Sequence, residues 1–546
     1  MSEESVASGP GYLLRFRIAD TTAYDALLDR LIADRVASRL SAGDPTLWGP
    51  TAEEEAARRL GWIALPRTSR PLVAEILALR EDLIARGLDR FVLCGMGGSS
   101  LAPEVITTAA GAPLEVLDSS HPDSVRLVVS RDIERTVVIV SSKSGSTVET
   151  DSHRRVFAEA FAAAGIDPAE RIIIVSDPGS ELDRVATADG CRIFRSDPEV
   201  GGRYSAHSAF GLVPAGLAGV DIARLLDEGE EVMGALARDD RDNPGLRLGA
   251  LLGLAASRGI DKLILASAGA VYSGLGDWIE QLIAESTGKQ GKGLLPVVVG
   301  ATDSPNFASS SPDSLLASFG PDFPFTRTGP TSGLGVSIDA GLGAQMQIWE
   351  FATAVAGRVL EINPFDQPDV ESSKAAARKM LGGEESAPEP RFVEDGIAVH
   401  AGDWLPAGVF SVSGAIRALL EQLDPDHGYL AVQAYLDRHT DSSLAAVRAA
   451  LAARTGRPVT FGWGPRFLHS TGQYHKGGPA AGVYLQVSTE PDADQGIPGR
   501  DFSFQDFIVS QAVGDGLVLA EKGRPVLRLH LQDPFGGVPR LRDMLQ

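Results

Sequence analysis

At 546 residues the chain has room for roughly three or four domains of ~150 residues, and its 44% hydrophobic content marks it as globular rather than disordered. A net charge of −22 argues against nucleic acid or an anionic membrane as partner, and it leaves any anionic substrate to a few local cations. Two cysteines, Cys94 and Cys191, are too few for a disulfide framework and suit a reducing compartment.

The opening Met-Ser-Glu-Glu-Ser lacks the basic and apolar regions of a signal peptide. The longest stretch free of Asp, Glu, Lys and Arg, residues 204–220, is broken by His207, Pro214 and several glycines. No membrane span is therefore expected, and a cytoplasmic location is. Residues 1–70 read as a helical N-terminal segment, with Leu27, Leu28, Leu31 and Ile32 on one stripe and a break at Trp48-Gly-Pro. No chemistry is evident there.

Over residues 71–220 strands alternate with helices, which predicts a doubly wound parallel sheet. The strand Phe91-Val92-Leu93-Cys94 runs into Gly95-Met-Gly-Gly98-Ser99-Ser100, and Asp118 closes the next strand. This is an imperfect dinucleotide fingerprint, because Ser100 stands at the third glycine position. The β-branched run Thr136-Val-Val-Ile-Val140 then leads into Ser141-Ser142-Lys143-Ser144-Gly-Ser-Thr147-Val-Glu-Thr150, ahead of a helix carrying Val156, Phe157 and Phe161. Six hydroxyls, a glycine and a lysine at the start of a helix form a cradle for phosphate, the alternative being an ordinary Ser/Gly-rich turn. Ligands of such sheets bind beyond the carboxyl ends of the strands, where both loops must lie. Gly201-Gly-Arg203-Tyr-Ser follows, with Arg203 at a helix entrance or simply on the surface.

A second unit of the same kind spans residues 221–381. Its strand Lys262-Leu-Ile-Leu-Ala266 precedes the helix Asp277-Trp-Ile-Glu-Gln281-Leu-Ile-Ala-Glu285-Ser-Thr-Gly288. Gln281 and Glu285, four apart, share one face. Residues 301–333 read as a long loop, and residues 345–360 as a helix. Gln367 and Lys374, seven apart, are near two helical turns and can face one site. Residues 382–390 have linker composition. Residues 391–546 read as a smaller α/β module, with a Gly-rich loop holding His469, Gln473, His475 and Lys476.

Taken in order, these landmarks resemble the phosphoglucose isomerase family, and the C-terminal module resembles the isomerase half of transaldolase–isomerase fusion proteins. Gly95-Met-Gly-Gly98-Ser99 is similar to the family's first glycine loop, Ser142-Lys143-Ser144-Gly-Ser-Thr147 to its phosphate loop, and Gly201-Gly-Arg203 to its arginine motif. Gln281-x-x-x-Glu285-Ser resembles its base motif, and Asn363-Pro-Phe-Asp-Gln367 with Lys374 its final motif. The resemblance implies two sugar-isomerase-type sheets and reversible isomerisation of glucose 6-phosphate and fructose 6-phosphate. It also implies a second copy as partner and a functional link to a transaldolase.

An aldose–ketose interconversion needs a carboxylate base, a cation near the enediolate oxygens, an acid that opens the ring, and an anchor for the phosphate. Glu285 fits the base, Arg203 the cation, and Gly98, Ser99, Ser142, Lys143, Ser144 and Thr147 the anchor, with Gln281 and Gln367 beside them. No His/Cys/Asp cluster has metal-ligand spacing, so neither metal nor cofactor is expected. One departure stands out, since the family's ring-opening histidine lies between the base and the final motif. Here residues 208–399 contain no histidine. Gln473-Tyr-His475-Lys-Gly-Gly resembles that motif with one residue fewer, so His475 is the expected acid, sharing proton transfer at the ring oxygen with Lys374. His207 and His469 are the other candidates. Alternatives on the same sheets are another phosphosugar isomerase, including one with dual glucose/mannose 6-phosphate activity, and a non-catalytic sugar-phosphate sensor. A nicotinamide enzyme leaves the second Ser-rich loop without a use.

Overall fold

The computed structural model describes residues 3–269, 272–326, 330–384 and 387–546. Three α/β units are built around three sheets. The first sheet has five parallel strands in the order Glu115–Leu117, Arg90–Gly95, Thr136–Ser141, Ile172–Ser176, Arg192–Arg195. Its central strand is buried at every position, as a run of β-branched residues flanked on both faces by helices requires.

The second sheet corrects the sequence reading at both of its ends. Residues 1–70 are not wholly helical, because Glu3–Gly9 and Tyr12–Ile18 form an antiparallel hairpin that joins this sheet beside Leu334–Ala340. Tyr12, Leu14, Phe16 and Ile18 are buried and the residues between them are not, a period of two that marks a strand. The expected helix does follow, over Thr21–Ala33. The long loop read at 301–333 contains the strand Ser314–Phe319, which pairs in parallel with Lys262–Ser267 and with Leu334–Ala340. Ser, Pro and Asp on either side of Leu315 and Leu316 conceal it, and residues 327–329 of that stretch lie outside the described residues.

The C-terminal module has six strands in the order Phe392–Glu394, Ile397–Ala401, Val526–Leu531, Gly482–Thr489, Tyr429–Tyr435, Val459–Trp463. This order repeats the second sheet, an antiparallel hairpin followed by four parallel strands in which the first and second in sequence take the far side. Part of the linker read at 382–390, residues 385 and 386, lies outside the described residues. The module does not stand apart from the rest. Its Ile497 and Phe504 complete the apolar layer over one face of the first sheet, and Tyr429, Tyr474 and Tyr484 complete one against the second. A single larger core joins the hairpin, both preceding sheets and the helix Leu342–Leu360. Among the described residues no helix is long and apolar enough to cross a membrane.

Candidate active site

The carboxyl ends of the first sheet open into a cavity of about 440 Å³. The strand Arg90–Gly95 runs into a tight turn over Gly97–Ser99, in which Gly97 adopts φ +55°. A Cβ on Gly98 would lie 2.0 Å from the Gly202 carbonyl oxygen, so only glycine lets this turn touch the one that carries Arg203. The next strand, Thr136–Ser141, delivers the serine cradle, and the helix Val148–Ala163 starts directly behind it. The cradle is shaped by its own hydroxyls. Ser142 Oγ donates to Thr147 Oγ1 at 3.2 Å and accepts from the Gly145 N–H at 3.2 Å, and the Ser144 and Ser146 hydroxyls pair at 3.0 Å. Lys143 forms an ion pair with Asp177 and donates to the Pro198 carbonyl at 3.2 Å. Burial pushes the lysine's pKa down and the aspartate's up, while their pairing works against both shifts.

The second unit supplies the carboxylate. On the helix Leu275–Thr287, Trp278, Leu282 and Ile283 face the core, which leaves Gln281 and Glu285 toward the cavity. Gln281 Nε2 donates to Glu285 Oε2 at 3.2 Å. Arg203 Nη1 lies 3.5 Å from Glu285 Oε1. Arg203 itself is 4% exposed and fully engaged: Nε donates to Ser286 Oγ at 2.8 Å, Nη1 to Gln367 Oε1 at 3.0 Å, and Nη2 to the Pro364 and Asp366 carbonyls at 2.7 and 3.1 Å. A guanidinium with fixed partners is a positioned charge that costs little reorganisation when a negative oxygen develops beside it. Lys289 closes the arrangement by donating to the Asn363 carbonyl and to Asp366 Oδ1, both at 2.7 Å. Burial and the neighbouring Arg203 bring the pKa of Lys289 down to about 8.

Gly288 ends this helix for a reason other than the left-handed cap its position suggests. Its φ is −76°, and a Cβ there would meet the Tyr474 Cα at 2.5 Å. The glycine admits the C-terminal module.

Of the twelve residues singled out from sequence, Gly98, Ser99, Ser142, Lys143, Ser144, Thr147, Arg203, Gln281, Glu285, Gln367 and Lys374 all line this cavity. Lys374 is 42% exposed and pairs with Glu371 at 2.8 Å. His475 does not line it. Its ring is buried, stacks on Tyr429 and meets that hydroxyl at 3.0 Å through Nδ1. Burial, with Lys476 and Arg524 nearby, lowers its pKa to about 3. It sits among the tyrosines that the module packs against the second sheet, so within the chain it does not reach the cavity as expected. His207 is also buried, and among the described residues neither of its ring nitrogens has a hydrogen-bond partner.

The histidine that does reach the cavity is His469, in the turn Arg466–His469 that follows the module strand Val459–Trp463. Its Nε2 contacts Glu149 Oε1 at 3.0 Å, and its backbone carbonyl accepts from Gln281 Nε2 at 2.8 Å. Glu149 lies in the first turn behind the cradle and also accepts from Gln511 Nε2 at 2.7 Å. Arg59 and Asp177 line the cavity too. Glu149, Arg59 and Asp177 have no role in the sequence reading, and His469 has only that of an alternative to His475. Glu149 was in view inside the cradle motif, whereas the approach of His469 depends on how the module docks.

Comparison with known proteins places this geometry. A family model described as phosphoglucose isomerase matches residues 83–292. The probable glucose-6-phosphate isomerase of Natronomonas pharaonis is 30% identical over 374 residues, covering 60% of this chain and 86% of that one. A glucose-6-phosphate isomerase of Thermus thermophilus is 29% identical over 418 residues, 64% of this chain and 100% of that one. Among solved structures, a hypothetical protein of Thermus thermophilus superposes with a TM-score of 0.58 at 26% identity, over 68% of this chain and 100% of that one. The glucose-6-phosphate isomerase of Chlamydia trachomatis shares the fold, with a TM-score of 0.56 at 19% identity over 70% of this chain and 90% of that one. The chain belongs to the phosphoglucose isomerase family.

Proposed function

We propose that the chain interconverts glucose 6-phosphate and fructose 6-phosphate in the cavity shared by Lys143 and Glu285. The observation that carries this reading is the contact of Glu285 with Arg203 at 3.5 Å, in one cavity with a hydroxyl-rich loop and its lysine. The substrate phosphate takes the Ser142, Ser144 and Thr147 hydroxyls, the Lys143 ammonium and the backbone N–H groups at the start of the helix Val148–Ala163. Anchoring the phosphate holds the sugar carbons against Glu285, an orientation effect worth several kcal/mol.

Glu285 then carries a proton between C2 and C1. Gln281 on one carboxylate oxygen and Arg203 near the other fix its plane. Arg203 also stabilises the negative charge that develops on the enediol oxygens. The ring must open first. His469 takes the place given to His475, because it is the histidine that lines the cavity. With Nε2 held by Glu149, Nδ1 is the nitrogen left to trade a proton with the ring oxygen, and Lys374 shares that transfer.

A coupled assay of fructose 6-phosphate turnover without added metal tests the reading, run on the wild type and on Glu285→Gln. The near-isosteric amide cannot accept a proton, so kcat should fall by a factor on the order of 10² or more with little change in KM. A variant that keeps most of its turnover overturns the assignment. Separate assays of glucose and mannose 6-phosphate measure how strict the site is. A homodimer and a functional link to a transaldolase rest on the resemblance to the fusion proteins alone, and sedimentation of the purified chain tests the first.

A further inference from the structure

Among the described residues four Lys and Arg side chains line the isomerase cavity: Arg59, Lys143, Arg203 and Lys374. Lys143 belongs to the phosphate cradle, Arg203 faces the Glu285 carboxylate, and Lys374 serves the ring oxygen. Arg59 is left without a part in the chemistry. It comes from the N-terminal segment, where the sequence alone shows no functional motif.

The position of Arg59 is built by its neighbours. Leu60 bridges to Val200, and the Gly61 N–H donates to the Glu199 carbonyl at 3.2 Å. Trp62 stacks on Tyr204 with ring centroids 5.1 Å apart. A Cβ on Gly61 would lie 3.2 Å from Asp197 Oδ2, from the Glu199 Cβ and from a Val200 methyl. Residues 59–62 are thus pinned along the segment that leads into Arg203. Glu55, one turn back, accepts from Arg59 Nε at 2.7 Å and steadies the stem.

Arg59 Nη1 donates to the Pro198 carbonyl at 3.4 Å, and Lys143 Nζ donates to the same oxygen at 3.2 Å. The guanidinium and the ammonium are therefore neighbours beside the cradle. Burial lowers the pKa of Lys143, and the charge of Arg59 adds to that, while Asp177 opposes both. An anion that touches both cations turns this repulsion into attraction. A sugar phosphate is close to a dianion at neutral pH. Against it the cradle sets hydroxyls, backbone N–H groups and a lysine whose charge Asp177 already shares. A guanidinium also meets phosphate oxygens through a planar fork that an ammonium lacks. Among the described residues Arg59 Nη2 has no hydrogen-bond partner.

We propose that Arg59 is a second phosphate-binding cation, gripping the substrate phosphate alongside Lys143 and making the N-terminal segment part of the substrate site. This role rests on the serine cradle's being the phosphate anchor. Calorimetric titration of the full chain with 6-phosphogluconate, an open-chain acid carrying the same phosphate, tests it on Arg59→Ala, Arg59→Lys and Lys143→Ala. Arg59→Ala should weaken binding tenfold or more, and Arg59→Lys severalfold at most. The dependence of Kd on NaCl should be shallower in Arg59→Ala than in the wild type. Arg59 makes one half-buried ion pair within four residues, so both of its variants should unfold close to the wild-type Tm. If Lys143→Ala weakens binding and Arg59→Ala does not, the cradle stands and the role of Arg59 is overturned. Weakening in Arg59→Ala with an unchanged salt dependence also overturns it, because the lost charge is then not the cause. If both alanine variants bind as the wild type does, the cradle assignment falls together with Arg59.

Discussion

Glu149 Oε1 and His469 Nε2 meet at 3.0 Å although 320 residues separate them in the chain. One projects from the first turn behind the phosphate cradle, the other from the C-terminal module. Burial alone would raise the pKa of Glu149, but the charge and hydrogen bond of His469 outweigh it and hold the carboxyl at about 2. The contact therefore fixes one imidazole nitrogen beside the cavity and ties the module to the cradle.

The first prediction separates the two histidines of the module's Gly-rich segment. His469→Ala should slow isomerisation of cyclic glucose 6-phosphate by tenfold or more, the usual scale for a lost acid. Exchange of solvent protons into already open-chain substrate should persist. His475→Ala removes a buried ring stacked on Tyr429, so it should lower Tm while the folded fraction turns over at close to the normal rate. The reverse pattern would restore His475 as the acid.

Much of the site was legible because its chemistry is local. The serine cradle, Gly98 beside Ser99, and the Gln281–Glu285 pair each lie within a few residues, so spacing alone set their geometry. What spacing could not supply was docking. His475 matched a motif as a string, yet the helix Gly472–Gly477 turns it inward, and the preceding turn at Arg466–His469 delivers the other ring to the cavity. The N-terminal hairpin shows in the alternation of Tyr12, Leu14, Phe16 and Ile18, a short period-two signal followed at once by the longer helical stripe of Thr21–Ala33. The strand Ser314–Phe319 has polar residues at Ser314 and Ser318 that are buried between neighbouring strands, so composition argued for a loop where tertiary packing made a strand.

The second prediction concerns the anchor. Lys143→Ala should raise the inhibition constant of a phosphorylated inhibitor about tenfold, for a lost contact of ~1.4 kcal/mol. Asp177→Asn should act the other way. The aspartate shares the lysine and would repel a phosphate dianion, so its neutral isostere should tighten inhibitor binding severalfold at low salt. Weaker binding in Asp177→Asn would mean that the carboxylate positions Lys143 rather than competing for it.

The third prediction follows from the depressed pKa of Glu149. A carboxylate held at about 2 in the folded state, against a usual 4.5, contributes stability that is full above about pH 4.5 and is lost as the pH falls toward 2. The contribution is on the order of 3 kcal/mol for a group this deeply buried. Glu149→Gln should therefore lower Tm at pH 7, and its gap from the wild type should narrow through the acid range and close near pH 2. A gap that stays constant with pH would show that the amide's packing, not the lost charge, sets the cost.

The fourth prediction tests whether two loops must touch. A Cβ on Gly98 would sit 2.0 Å from the Gly202 oxygen, 2.3 Å from its carbonyl carbon and 3.0 Å from the Arg203 nitrogen. All three are backbone atoms, so no side chain can swing away to make room. The Arg203 end is poorly placed to yield, because its guanidinium is held by Ser286, Gln367 and two carbonyls. The displacement then falls on the turn that holds Ser99, and a shift near 1 Å in a positioned group costs on the order of 10² in rate. Gly98→Ala should lose activity on that scale. Gly202 is the matched control: among the described residues a Cβ there meets nothing within 4 Å, so Gly202→Ala should stay within a few-fold of the wild type. If the two variants turn over equally well, the contact does not set the distance between the cradle side of the cavity and Arg203.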